Sequence, residues 1–243
     1  MSYTQRFDGR KFDEFRKIEA KAGVIKKADG SAYFKIGKTT AYAAVYGPRE
    51  LYPKFLQDPK QGLLRCNYNM LPFSAPGDRA RPGPSRRSKE ISMVTERALR
   101  PVLDLTDYPN AVVDVYIELT ETDAGSRCAG ICAAAMALAD AGIAMKDLVV
   151  AFSVGKVGDK LVLDLDGDEE HFEHNASSDM PVAIVPSTGE ITLLQLDGRL
   201  GKEEILACLS TAMAKAPIVA EVKRKALKKK YVIQEGSKWQ TYN

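Results

Sequence analysis

The chain has 243 residues, 45% of them hydrophobic, and a formal net charge of +3. That length suits one large domain or two small halves around a sizeable core, and the charge is too slight to imply nucleic acid by itself. No apolar run reads as long enough to span a bilayer, and the opening MSYTQRFDGRKFDEFRK is too charged for a secretory leader. Cys66, Cys128, Cys132 and Cys208 are scattered without a CxxC pair, so they read as small core residues of a reduced, cytoplasmic protein.

Arg6-Phe7-Asp8-Gly9-Arg10 and the mixed run from Lys11 to Lys17 show little periodicity and predict an extended arm lying on something else. From Ile18 the pattern alternates: Gly23-Val24-Ile25 and Ser31 to Ile36 flank Asp29-Gly30, a hairpin signal. Gly37-Lys38 then turns into a third strand, Thr39 to Pro48, and Leu63 to Met70 reads as a fourth. A Pro/Gly-rich connection from Pro72 to Pro84 carries Arg79 and Arg81 and ends at Pro84-Ser85-Arg86-Arg87, where a helix begins. Ile91, Val94, Ala98 and Val102 recur along it at helical spacing. Arg86 and Arg87 fall in its first turn, the end where the helix dipole disfavours cations. Either an anion offsets them, or they form a solvated basic turn.

Ala111 to Leu119 is β-branched and apolar, a mostly buried strand, and Cys128 to Ala141 is apolar on nearly every face, a buried helix stopped by Gly142. Between them lies Asp123-Ala124-Gly125-Ser126-Arg127. A strand, a short turn and a helix start gather free backbone N–H groups and the positive end of a helix dipole, a natural anion site. Gly125 admits an anion to the backbone, Ser126 adds a hydroxyl, and Arg127 adds a fork matched to phosphate oxygens. The same residues also suit an ordinary helix cap in which Ser126 caps and Arg127 is solvated.

A second set of strands follows: Val149 to Val157, the turn Gly158-Asp159, Lys160 to Asp164, then Asp179 to Val185 and Ile191 to Leu196. An acidic loop from Asp166 to His174 interrupts them; its His171 and His174 read as solvated rather than as metal ligands. A helix from about Glu203 to Lys215 closes this half, and Pro217 is expected to kink or break it from the basic tail through Lys223 and Lys230. Hairpin strands followed by a helix thus occur twice, a duplicated βα architecture.

The Arg6–Arg10 arm, Pro84-Ser85-Arg86-Arg87, Asp123 to Arg127 and Ser178-Asp179-Met180-Pro181-Val182, in this order and with the helix end Leu138 to Ile143, resemble the ribonuclease PH family of phosphorolytic exoribonucleases. The likeness runs from the arm to about Tyr231 and is strongest to the catalytic ring subunits of archaeal exosomes. Bacterial ribonuclease PH carries Gly-Gly-Thr-Arg where this chain has Ala124-Gly125-Ser126-Arg127.

The resemblance implies an α/β (α+β) fold of duplicated βαβ-type halves, ribonuclease PH-like and ribosomal protein S5 domain 2-like, in one domain over 1–243. The halves would run about 18–143 and 147–230. It implies a phosphate-dependent 3′-to-5′ exoribonuclease that releases nucleoside 5′-diphosphates and adds tails in reverse. It also implies assembly with a related inactive subunit into a hexamer of three heterodimers, under RNA-binding cap subunits, with single-stranded RNA threading the pore. Inorganic phosphate is the implied co-substrate, held by Gly125, Ser126 and Arg127; Arg86, Arg87 and a pore-lining Arg65 would bind RNA. Asp179 would be the general acid, or with Asp168 a ligand of a divalent ion such as Mg²⁺ or Mn²⁺. The alternatives are a non-catalytic RNA-binding ring subunit, a bacterial-type ribonuclease PH acting on tRNA 3′ ends, and a metal-dependent hydrolase.

Overall fold

The computed structural model describes residues 3–75, 81–172 and 177–231. The first half is a five-stranded sheet in the order β1-β2-β3-β5-β4, with β1 Ile18–Ala22, β2 Gly30–Ile36, β3 Thr39–Glu50, β4 Leu63–Met70 and β5 Ala111–Glu121. Neighbours are antiparallel except β4 and β5, which run parallel and are joined through helix α1, Arg86–Leu99. That β4–α1–β5 crossover is needed because parallel neighbours cannot be linked by a tight turn. The Gly23-Val24-Ile25 stretch lies outside β1, so the link into β2 is longer than the hairpin the sequence predicts.

The second half is an antiparallel sheet in the order β7-β6-β8-β9, with β6 Val150–Val157, β7 Lys160–Leu163, β8 Ser177–Val185 and β9 Glu190–Leu194.

Helix α2, Ser126–Asp140, packs on β2, β3 and β5 of one sheet and on β6 and β8 of the other. Burial on every side explains its composition, since 13 of its 15 residues are buried and most are Ala, Cys or Gly. Larger side chains would hold the sheets apart. At Gly30, where β2 meets the end of α2, an added Cβ would lie 2.2 Å from the Ala141 amide nitrogen. All four cysteines are buried and free, as expected for core residues.

Two elements depart from expectation. The acidic loop contains a short helix α3, Gly167–Glu170, because Asp166 and Glu169 form a reciprocal capping box. The final helix α4 runs unbroken from Lys202 to Tyr231 with Pro217 inside it. Its stripe of Cys208, Ala212, Ala216, Val219, Ala220 and Lys223 is buried, so packing holds both sides of the proline in one helix. By length and composition alone α4 could cross a membrane, contrary to the expectation that no segment could. Most of its basic tail is engaged within the chain. Lys223 is fully buried on the Val149 carbonyl, Arg224 pairs with Asp147, Lys225 with Glu221 and Lys230 with Asp140.

The N-terminal arm lies across the second half. Arg6 donates to both carboxylate oxygens of Glu169, at 2.7 and 2.6 Å, and to the Leu163 and Asp164 carbonyls, each at 2.7 Å. Both side chains of the pair are fully buried. Burial alone would raise the Glu169 carboxyl, but the bonds from Arg6 and Tyr3 hold it below its ordinary value. Arg6→Leu leaves that carboxylate buried without its cation and should destabilise the fold by about 3–5 kcal/mol in urea unfolding at neutral pH. The difference from wild type should shrink as pH falls through the glutamate range, because a protonated Glu169 no longer needs the guanidinium.

Candidate active site

Helices α1 and α3 begin with capping boxes, at Ser85 and Asp166. Helix α2 does not: its N-cap is Gly125, at φ 63, and no side chain caps it. Ser126 is the first helical residue rather than the cap. The first intrahelical bond runs from the Ala129 N–H to the Gly125 carbonyl at 3.0 Å, so the amides of Ser126, Arg127 and Cys128 precede it. Ala124 also sits in the left-handed region, at φ 58. That costs a residue with a Cβ roughly 1–2 kcal/mol and persists only where the surroundings fix it.

This helix start opens into a cavity of about 910 Å³ between the two sheets. Its lining includes Gly125, Ser126, Arg127, Arg87, Asp179, Glu170 and His171. Arg127 donates to the Gln195 side chain and stands 3.8 Å from Glu90 of α1, while Gln195 donates to Glu90 at 3.0 Å. Asp179 lies in β8, and its backbone exchanges two 2.8 Å hydrogen bonds with Asp197. The Ser153 hydroxyl of β6 donates to the Asp179 carboxylate.

Burial pushes the Asp179 carboxyl up to about 6, against the Ser153 hydrogen bond and the Arg127 charge. Glu170 is pushed up to about 7, first by burial and then by the charge of Asp179. Among the described residues the cavity carries two cations, Arg87 and Arg127, and four carboxylates, Asp123, Glu170, Asp179 and Asp197. A site with that balance favours holding protons or a cation.

The structure brings together five of the residues singled out in the sequence: Gly125, Ser126, Arg127, Arg87 and Asp179. Three others lie elsewhere. Arg86 is exposed in the same helical turn as Arg87 but does not line the cavity. Arg65 projects from the opposite face of the first sheet, where it donates to the fully buried Asp114 at 2.5 and 3.0 Å beside Arg49. Asp168 lines a second, smaller cavity with Arg10, Arg16 and Lys38, so it does not join Asp179 as a ligand pair. Arg79 and His174 lie outside the described residues.

Four contributors were not singled out: Glu170, Ser153, Gln195 and Asp197. Glu170 had a partial signal, since Asp166-x-x-Glu169 is a capping-box pattern that marks a helix start just before it. Ser153 and Gln195 reach the site only through strand pairing, which leaves no local mark.

An uncapped helix start beside a buried carboxyl pair, at the seam of two α/β halves, suits an enzyme that works on phosphate esters. The chain belongs to the 3′ exoribonuclease family of ribonuclease PH: domain 1 of that family matches residues 14–144 and domain 2 matches residues 147–215. Among its curated relatives, the exosome complex component Rrp41 of Thermococcus gammatolerans is 51% identical over 94% of this chain and 90% of its own length. Its counterpart in Methanopyrus kandleri is 48% identical over 93% of each chain. A chain of the solved Archaeoglobus fulgidus exosome with RNA bound to the active site superposes with a TM-score of 0.75 at 27% identity, covering 90% of this chain and 92% of that one.

The raised Asp179 carboxyl has a consequence for stability. The folded state binds its proton more tightly than the unfolded chain, where an aspartate titrates near 4, so its cost is absent below about pH 4 and fully present above about pH 6. Asp179→Asn removes that cost while keeping an acceptor for Ser153. Thermal melts should show the variant more stable than wild type at pH 8, by on the order of 2 kcal/mol, and equal to it near pH 4.

Proposed function

We propose that this chain is the catalytic subunit of an exosome-like ring, degrading RNA from its 3′ end with inorganic phosphate. The observation that carries the reading is that the uncapped start of α2, with Gly125, Ser126 and Arg127, shares one cavity with Asp179.

Phosphorolysis joins two anions, so its first requirement is to offset their repulsion. Gly125, Ser126 and Arg127 hold the attacking phosphate with backbone amides, a hydroxyl and a guanidinium. Arg87 holds the terminal RNA phosphate from the start of α1, with Arg86 contributing from outside the cavity. An oxygen of inorganic phosphate bonds to the phosphorus of the last linkage, and the bond from that phosphorus to the preceding 3′-oxygen breaks. The products are a nucleoside 5′-diphosphate and an RNA one residue shorter.

The departing oxygen needs a proton, and Asp179 is placed to give it, since a carboxyl raised to about 6 keeps a protonated fraction near neutrality. Glu170, raised to about 7, is the partner that replenishes the proton. The reverse reaction adds tails from nucleoside diphosphates.

A divalent ion fits the donor set in one form. Mg²⁺ is bound through one or two carboxylates plus substrate phosphates rather than by an all-protein cage. Among the described residues no three His, Cys, Asp or Glu side chains gather into such a cage. As the alternative to proton donation, Asp179 and Glu170 in their ionised forms are the pair that would hold Mg²⁺ or Mn²⁺, in place of Asp179 with Asp168. When bound, the ion supplies positive charge to the leaving oxygen.

The relatives are named as exosome components, which supports membership of such a complex; to that we add a related inactive subunit, three heterodimers, RNA-binding caps and a cytoplasmic location. In that ring Arg65 and Arg49, on the outer face of the first sheet, serve the RNA path rather than the chemistry. Within the chain, we take the two matched stretches, 14–144 and 147–215, as halves of one structural unit.

Chromatography of the products from the assembled ring tests the reading: nucleoside diphosphates are expected, and monophosphates would replace phosphorolysis with hydrolysis. Arg127→Ala should raise the phosphate concentration needed for degradation by roughly 10–100-fold, the cost of one charge-assisted contact. Asp179→Asn should cut turnover by about 10²–10⁴-fold with RNA affinity held or increased.

The two neighbouring arginines should separate. Arg87→Ala should weaken short-RNA binding and lower its salt slope by about one counterion, and Arg86→Ala should do so less. Equal losses, measured by salt titration of binding, would contradict the placement of Arg87 alone in the cavity.

A further inference from the structure

The turn ahead of α2 is held chiefly by two residues, Thr39 and Arg16, that do not line its cavity. Thr39, fully buried at the start of β3, takes both sides of one peptide unit's neighbourhood with a single hydroxyl. Its Oγ1 accepts from the Asp123 N–H at 2.8 Å and donates to the Ala124 carbonyl at 2.6 Å. Arg16, buried in the arm, donates from Nη1 to the Asp123 carbonyl. Its Nε and Nη2 fork onto Asp164 at 3.0 and 2.7 Å, which anchors the guanidinium in the second half. The Asp123 carboxylate accepts from the Gly167 N–H of α3 at 3.0 Å.

The N–H, carbonyl and carboxylate of Asp123 and the carbonyl of Ala124 are therefore all engaged by residues outside the turn. The amides of Ser126, Arg127 and Cys128 are left to the cavity side. Two consecutive left-handed residues, Ala124 at φ 58 and Gly125 at φ 63, are kept in place by these contacts.

We propose that Thr39, backed by Arg16, is a positioning residue for the co-substrate phosphate. It locks the 123–125 turn so that the first amides of α2 are pre-organised for that anion. The proposal rests on the reading of Gly125, Ser126 and Arg127 as the phosphate site. Neither residue lines that cavity, so neither touches phosphate or RNA. The effect should therefore be confined to what the turn holds: Arg87 and the RNA contacts belong to α1, which Thr39 does not brace. In the reverse direction the terminal phosphate of a nucleoside diphosphate occupies the same place, so it should respond in parallel.

The test compares Thr39→Val, which keeps the shape and loses the hydroxyl, with Thr39→Ser, which keeps the hydroxyl, in the assembled ring. In Thr39→Val the KM for phosphate in degradation and for nucleoside diphosphate in tailing should each rise about tenfold, the scale of losing hydrogen bonds to buried groups. RNA affinity should stay at wild type, and turnover at saturating phosphate should fall by no more than about threefold. Thr39→Ser should recover both KM values to within about twofold. Arg16→Lys, which keeps a cation for Asp164 and loses the donor to the Asp123 carbonyl, should show the same pattern and serves if Thr39→Val fails to assemble.

A wild-type phosphate KM in these variants, with a raised one in Arg127→Ala, overturns the positioning role and leaves the phosphate site standing. A uniform loss of turnover and RNA affinity with phosphate KM unchanged makes Thr39 an ordinary core residue and also overturns it. If Arg127→Ala does not move phosphate KM either, the phosphate-site reading itself fails.

Discussion

Everything in this molecule is arranged around a helix that has no exposed face. With sheets on both sides of α2, the helix carries mostly small or apolar side chains along its length, and its charged contacts fall at its ends. At its far end Asp140 is engaged by the Ser31 amide and by Lys230, so that end is fully committed. The near end is left uncapped, and an uncapped helix start inside a protein is stable only if some other group satisfies its amides. The placement of the cavity at the seam of the halves follows from this packing.

The electrostatics of the cavity work against the fold. Asp179 and Glu170 are half-buried on the wall of one cavity with both carboxyls raised, an arrangement that costs stability whenever both are ionised. Nearby, acid and base are paired: Asp164 is held by Arg16, and Glu169 by Arg6. Glu169 and Glu170 are consecutive, yet one is lowered by a buried cation and the other raised, first by burial and then by a neighbouring carboxyl. Environment, not residue type, sets the two apart.

Much of this was legible in the sequence where the signal is local. The bounds of β4, the start of α1 and the apolar α2 follow from periodicity and composition, because each stretch carries its own pattern. The Gly-Ser-Arg turn was legible for the same reason, as was Asp179 beside its strand. What escaped depends on partners far along the chain. Nothing near Pro217 says that both sides of it will be packed, and nothing near Thr39 says that its hydroxyl will meet residues 123 and 124. Asp168 and Glu170 are two apart in an acidic run, and only the capping of α3 decides which of them enters the cavity.

The arm has a consequence for how the chain comes to be folded. Arg6 finds Glu169 across 163 positions of sequence, and Arg16 finds Asp164 across 148. During synthesis the arm therefore lacks these carboxylate partners until residues 164 and 169 have emerged. The first sheet can form early around its own hairpins, but the arm must wait, and the turn that Arg16 braces waits with it. The cavity is complete only when residues from both halves, as far as Gly198, are in place.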